Sequence, residues 1–255
     1  MRILVFGPHP DDAEIGAGGL MALAAGRGHE VLICDLSRGE MASNGSPEDR
    51  AREAREAAGI LGVRRTCLGL PDQGLVDCPE QAAAVARAVR EFRPDLALIP
   101  HGEDRHADHQ AASALCLRGV GLAGLARFEP PDGADGGDVV TPKVFPAHRT
   151  PAVRFYLIHS QARPDILVDV TAASERKMRA LRCYGTQFAG GRGTRPTPLN
   201  TGSFLQMVEA RDAYFGALAG VGRAEGLLAQ GPRLVRDIEE IWEKGNVESP
   251  RGKRH

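Results

Sequence analysis

The strongest constraint on this chain is a regular alternation of short apolar runs with helical patterns along its first part. "RILVFG" (2–7) reads as a fully buried strand, "EIGAGGLMALAAGRG" as a helix closed by Gly28, and "EVLICDL" (30–36) as the next strand. That order is one βαβ unit. "SPEDRAREAREAAGILG" (46–62) follows as a helix. Ser46 is placed to cap it, acids fill its first turn, and Ala51, Ala54, Ala58 and Leu61 fall at helical spacing. "RRTCLGL" gives a third strand, "EQAAAVARAVREF" (80–92) a helix with Val85, Ala88, Val89 and Phe92 on one face, and "DLALIP" (95–100) a fourth strand. Strands joined through helices pair in parallel with right-handed crossovers. The expected fold is therefore α/β, a Rossmann-like three-layer sandwich with a mostly parallel sheet.

The alternation weakens after a helix near 107–122. Residues 127–151, "RFEPPDGADGGDVVTPKVFPAHRTP", are rich in Pro, Gly and Asp without apolar period, and read as a loop excursion. "AVRFYLI" and "DILVDV" read as two more strands. "TAASERKMRALRCYG" reads as a helix capped by Thr171, and 202–220 as a helix with Phe204, Met207, Val208 and Phe215 on one face. Residues 1–245 are expected to form a single domain, with 246–255 a basic, frayed tail. There is no internal repeat.

Composition narrows the function classes. The 32 Lys+Arg and 33 Asp+Glu nearly cancel, so no global field draws nucleic acid or an anionic membrane. A small molecule, recognised locally, is the expected partner. The N-terminus runs straight into "RILVFGPHPDD" without a basic segment and h-region. Nowhere do the roughly 18 consecutive apolar residues of a membrane span occur. A cytoplasmic protein is expected. Cys34, Cys67, Cys78, Cys116 and Cys183 are scattered and show no C-x-x-C spacing, against both a disulfide framework and a thiolate zinc site. Any metal must be held by His and carboxylate.

In doubly wound sheets, ligands gather beyond the carboxyl ends of the strands. His9, Asp11 and Asp12 lie in the turn after strand one, with Glu14 opening the next helix. "IPHGEDRHADHQAA", after strand four, carries His101, Glu103, Asp104, Arg105, His106, Asp108 and His109. Either segment alone also reads as an ordinary polar turn or helix cap. Together they converge on one sheet edge. His9, Asp12 and one or two downstream histidines would supply the N and O ligands of a three-ligand site with a position left for water. Adjacent aspartates in a turn can point one carboxylate at a metal and the other at the water it holds, so ligand and general base come from consecutive positions. Metal-assisted hydrolysis is the expected reaction class. His29, His148, His159 and His255 stand alone and are expected to be surface or loop residues.

"HPDDAE" (9–14) and "HADH" (106–109) are the segments by which the chain resembles the LmbE-like, or PIG-L, de-N-acetylases, marked by HPDDxE after strand one and HxDH after strand four. The likeness covers nearly the whole chain. It is closest to the bacillithiol-pathway branch, through "ICDLSRGEMASNG", "LPDQGL", "EDRHADH", "DVTAASERKMRALRCYGTQF", "TPLNTG" and "AGVGRAEGL". The resemblance implies zinc-dependent hydrolysis of an acetamide, N-acetylglucosaminyl L-malate giving glucosaminyl malate and acetate. The alternatives are the same chemistry on an inositol conjugate or a chitooligosaccharide, or a catalytically silent Rossmann-like binding module. Against the module, no G-x-G-x-x-G opens the first helix; "GAGG" (16–19) lies inside it.

Carried over position by position, the resemblance implies that His9, Asp12 and His109 hold Zn2+ or another divalent ion such as Fe2+, with Asp11 as general base. His106 would stabilise the oxyanion and donate to the leaving amine, Asp108 fixing its ring and raising its pKa; Asp108 also reads as a helix cap. Arg50 and Arg105 are candidate anchors for the malate carboxylates, Arg50 alternatively a solvated helix residue. Asn44 would meet a sugar hydroxyl or only make a turn. Members of the branch are often hexameric, built from trimers, so the resemblance implies a homo-oligomer, trimer or hexamer. Pro8, Gln73 and an expanded 131–139 loop depart from the branch pattern.

Overall fold

The computed structural model describes residues 1–130, 145–191 and 193–231. Most of the expected excursion, the 131–139 expansion within it, His255 and the tail 246–255 lie outside the described residues. The elements run β1 (Arg2–Gly7), α1 (Asp12–Gly26), β2 (Glu30–Ser37), α2 (Pro47–Leu61), β3 (Arg64–Leu70), α3 (Pro79–Phe92), β4 (Leu96–Pro100) and α4 (Ala107–Ala123). They continue with β5 (Ala152–Tyr156), β6 (Ile166–Asp169), a short turn of 3-10 helix (Thr171–Ala173), α5 (Ser174–Leu181), α6 (Gly185–Phe188), α7 (Ser203–Ala219) and β7 (Ala224–Ala229).

The seven strands form one sheet in the order β3-β2-β1-β4-β5-β7-β6. β3 through β5 pair in parallel, whereas β7 is antiparallel to both its neighbours. The period of two along β1 separates two cores. Ile3 and Val5 pack with α1, α2 and α5, while Leu4 and Phe6 pack with α3 and α4. Helices on both faces of a mostly parallel sheet make the expected three-layer α/β sandwich. The chain moves from β1 outward to β3, then returns to place β4 on the other side of β1. The winding direction therefore switches between β1 and β4, and the crevice opens beyond their carboxyl ends.

Ser46 caps α2 as expected: its hydroxyl accepts the Asp49 N–H while the Asp49 carboxylate accepts the Ser46 N–H, a reciprocal capping box. Elsewhere local readings are corrected. Thr171 does not cap a long helix. Asp169 accepts from the Thr171 N–H and hydroxyl at 2.9 and 2.6 Å, which winds one tight turn ahead of α5, and α6 follows as a separate piece. Met207 is 41% exposed, whereas Phe204, Val208 and Phe215 are buried. On α2, Ala57 is buried and Ala51 exposed. β7 has no period-two signal, because buried Glu225 and Gly226 interrupt its apolar run. Gly226 is required there, since a Cβ would come within 2.9 Å of Pro164.

Candidate active site

β1 ends at Gly7, and the chain turns through Pro8, His9 and Pro10 before α1 begins at Asp12. The Asp12 Oδ2 accepts the His9 N–H at 2.9 Å, which closes the turn. Asp11 occupies the N-cap position with φ +119°, a costly backbone angle for a residue with a Cβ. An aspartate at an N-cap ordinarily accepts a backbone N–H of the first turn. Asp11 accepts none. Its carboxylate is buried at the floor of the cleft and takes Arg50 Nη1 at 3.2 Å.

The two aspartates thus diverge. Asp12 Oδ2 lies 3.1 Å from His9 Nδ1 and 3.3 Å from His109 Nε2. Two ligands on one tetrahedral Zn2+ with bonds of 2.0–2.1 Å stand about 3.3 Å apart, so both separations fit donors sharing one ion. His9, His106 and His109 also offer ring nitrogens within 4.8 Å of one another. Two imidazoles and a carboxylate suit zinc and accept Fe2+. Both His9 and His109 are backed by acid: His9 Nε2 lies 3.1 Å from Asp108 Oδ2 and 3.2 Å from Asp72 Oδ1, and His109 Nδ1 lies 3.1 Å from Asp104 Oδ1. Such carboxylates fix ring orientation and raise ligand basicity.

Charge follows this geometry. Burial pushes Asp11 up to about 7, against the pull of Arg50. Burial would also raise Asp12, but the facing His109 and His9 hold it well below the carboxylate range. Burial would lower His109, yet the Asp12 and Asp104 carboxylates lift it to about 9. Burial, then the neighbouring His109 and His9, push His106 down.

Three expectations change. Asp108 does not hold the His106 ring through its carboxylate, which instead takes His9 Nε2 and the Gln73 N–H. It is the Asp108 backbone N–H that reaches His106 Nδ1, at 3.2 Å, because His106 is itself the N-cap residue of α4. The expected rise in the His106 pKa is absent because burial and the charges of His109 and His9 outweigh the nearby Asp12 and Asp108 carboxylates. Asn44 does not line the cleft: its side chain exchanges hydrogen bonds with the Arg195 backbone at 2.8 and 2.9 Å, pinning the loop before α7. Arg50 lines the cleft but is 3% exposed, and its guanidinium is taken by Asp11 and the Pro10 carbonyl. Arg105 is exposed at the rim.

His159 does not stand alone as expected. It lines the cleft and stacks on His109, centroids 5.3 Å apart, with burial lowering it to about 4. Asp72 was also missed. Both follow the carboxyl ends of strands, β5 and β3, so the strand-end argument applied to "LPDQGL" and "LIHS" would have found them. Glu14 is fully buried and takes Arg65 and the Tyr184 hydroxyl, a structural role beneath Asp11. His9, Asp11, Asp12, His106, His109 and His159 line a cleft of about 550 Å³, whose far wall is Gln187 and Thr197–Leu199.

Fold and site define a Rossmann-like α/β protein with a candidate His/Asp metal centre at its strand ends. A family model, PIG-L: GlcNAc-PI de-N-acetylase, matches residues 4–119, the span from β1 into α4 that holds both motifs. The chain belongs to this PIG-L, or LmbE-like, family of de-N-acetylases. It is 29% identical over 237 residues to diacetylchitobiose deacetylase of Thermococcus kodakarensis, covering 89% of this chain and 82% of that protein. It is 31% identical to the uncharacterized deacetylase YaiS of Escherichia coli, over 45% of this chain and 67% of that protein. Among solved structures, the conserved protein TT1542 of Thermus thermophilus superposes with a TM-score of 0.78 at 37% identity, covering 91% of this chain and 96% of that one.

Proposed function

We propose that this chain is a metal-dependent deacetylase that hydrolyses the acetamide of an N-acetylglucosaminyl conjugate. The observation that carries the reading is the divergence of Asp11 and Asp12, one carboxylate left uncapping on the cleft floor and the other between two imidazoles. A divalent ion held by His9, Asp12 and His109 would supply Lewis-acid polarisation of the acetamide carbonyl and a water of lowered pKa. Asp11 sits near neutrality and takes the proton of the attacking water, while Arg50 holds its carboxylate in place. His106 accepts the Asp108 N–H at Nδ1, which leaves its proton on Nε2, the donor that meets the developing oxyanion. Because His106 is pushed down and neutral, the proton returned to the leaving amine is the one Asp11 has taken.

N-acetylglucosaminyl L-malate is the conjugate we favour. Arg105 supports it: its guanidinium lies at the rim without a hydrogen-bond partner among the described residues, available to a carboxylate. The relative from Thermococcus kodakarensis, named for diacetylchitobiose, supports the chitooligosaccharide alternative. The deciding experiment incubates metal-loaded protein with N-acetylglucosaminyl malate, N,N'-diacetylchitobiose and N-acetylglucosaminyl inositol. Mass spectrometry then looks for free amine and acetate. Preferential release from the malate conjugate supports the full assignment; equal, weak release from all removes malate; no amine from any removes the deacetylase reading.

A further inference from the structure

α1 carries Asp12 and Ile15 into the cleft, and it is not one continuous helix. Ala17 has φ −140° and ψ 16°, which breaks the spiral five residues after Asp12. In an unbroken helix, the Ile15 carbonyl would accept the Gly19 N–H. Here each half of that rung is taken by a charged side chain from distant sequence. Ile15 O accepts Arg211 Nη2 at 2.7 Å, and the Gly19 N–H donates to Glu225 Oε1 at 2.8 Å. The next freed donor, Leu20 N–H, goes to Glu225 Oε2 at 2.7 Å. The second half of α1 therefore has a carboxylate from β7 across its N-terminus, where a negative charge is favoured.

Glu225 is buried, and it is held in turn. Lys177, fully buried on α5, places Nζ 2.8 Å from Glu225 Oε1 and 2.6 Å from Asp212 Oδ2 on α7. The Lys177 stem runs so close to α1 that a Cβ at Gly18 would meet its Cγ at 2.8 Å. Arg211 also donates to the Leu157 and Ile158 carbonyls just before His159, at 3.1 and 2.7 Å. Buried charges are costly unless paired and bonded, and Glu225, Lys177, Asp212 and Arg211 join the break in α1 to α5, α7 and β7.

We propose that Glu225, backed by Lys177, is a positioning residue: by holding the break in α1 it sets the angle at which Asp12 and the preceding Asp11 enter the site. Arg211 does the same from the other half of the rung. The inference rests on Asp12 being a metal ligand, as proposed above, and on no particular substrate. The test compares wild type with Glu225→Gln, which keeps the shape of the side chain but removes the charge that spans both N–H groups. Three quantities are read: Zn2+ affinity by chelator competition, the visible spectrum of the Co2+-loaded protein, and kcat and KM for the acetamide found to turn over.

Glu225→Gln is expected to bind Zn2+ about tenfold or more weakly, the range typical of groups that orient metal ligands. The Co2+ bands should shift, and kcat should fall with KM nearly unchanged. Arg211→Met is the second variant, and carries the test if Glu225→Gln does not fold; it should move the same readouts in the same direction. A folded variant with wild-type Zn2+ affinity and Co2+ spectrum, its only change a lower melting temperature, would overturn the proposal. Should the wild type bind zinc at His9, Asp12 and His109 yet deacetylate nothing, the proposed function fails while the zinc and cobalt comparison still decides this one.

Discussion

Arg50 Nη1 lies 3.2 Å from Asp11 Oδ2, both groups buried, in an ion pair that holds the candidate base rather than a substrate. The positions are far apart in sequence, one in the turn after β1 and the other in the first turn of α2. A mixed charge run on a helix gives no sign that one of its arginines points inward.

Removing that guanidinium has a signed effect on pH dependence. Burial raises Asp11 to about 7 while Arg50 holds it down, and a bound divalent cation lowers it further. The base works ionised, so activity rises with pH through its pKa. The acidic limb of kcat/KM should lie at or below about pH 7 in the wild type and move upward in Arg50→Met, with about a tenfold or larger loss near neutrality. A profile that keeps its acidic limb in Arg50→Met removes Arg50 from the role.

Metal affinity should depend steeply on pH. His109 is lifted to about 9 in the metal-free site, and an imidazole must lose its proton to bind a metal. Below that pH each unit of acidification should weaken apparent Zn2+ affinity by about tenfold from this group alone. Chelator competition at several pH values gives the slope; a flat response contradicts the assignment of His109 as a ligand.

Arg105 separates the conjugates. Arg105→Ala should raise KM for N-acetylglucosaminyl malate by about tenfold or more, the cost of losing a hydrogen bond to a charged group, and leave KM for N,N'-diacetylchitobiose unchanged. Equal changes for both substrates would place Arg105 outside aglycone recognition.

The glycines of "GAGG" have a packing reason. A Cβ at Gly16 would lie 2.2 Å from Tyr156 Cδ2, and the Tyr156 hydroxyl is fixed on the Phe6 carbonyl at 2.7 Å, so the ring cannot retreat. Gly16→Ala should cost about 1–3 kcal/mol by overpacking, read from denaturant unfolding. Unchanged stability would mean that α1 can move away from β5.

The strand and helix order of the first half was legible because buried strands and amphipathic helices differ in period. His9, Asp11 and Asp12 were legible at a strand end, whereas the strand-end argument marked the whole segment after β4, His101 included, and the HxDH resemblance singled out His106 and His109. What long-range packing decides was not legible. Asn44 reads equally as a sugar contact or a turn residue until the loop at Arg195 is seen to close on it. Asp108 is next but one to His106 in sequence, yet its carboxylate crosses to His9. β7 was missed because a buried Glu225 inside a strand has meaning only when the broken α1 lies above it.

The division of labour between the adjacent aspartates is tested most directly by measuring bound zinc and turnover in Asp11→Asn and Asp12→Asn side by side. Asp11→Asn should keep its zinc and lose about 10²-fold or more in turnover, as for a missing general base, while Asp12→Asn should lose the zinc itself. Zinc lost from Asp11→Asn and kept by Asp12→Asn would contradict the account.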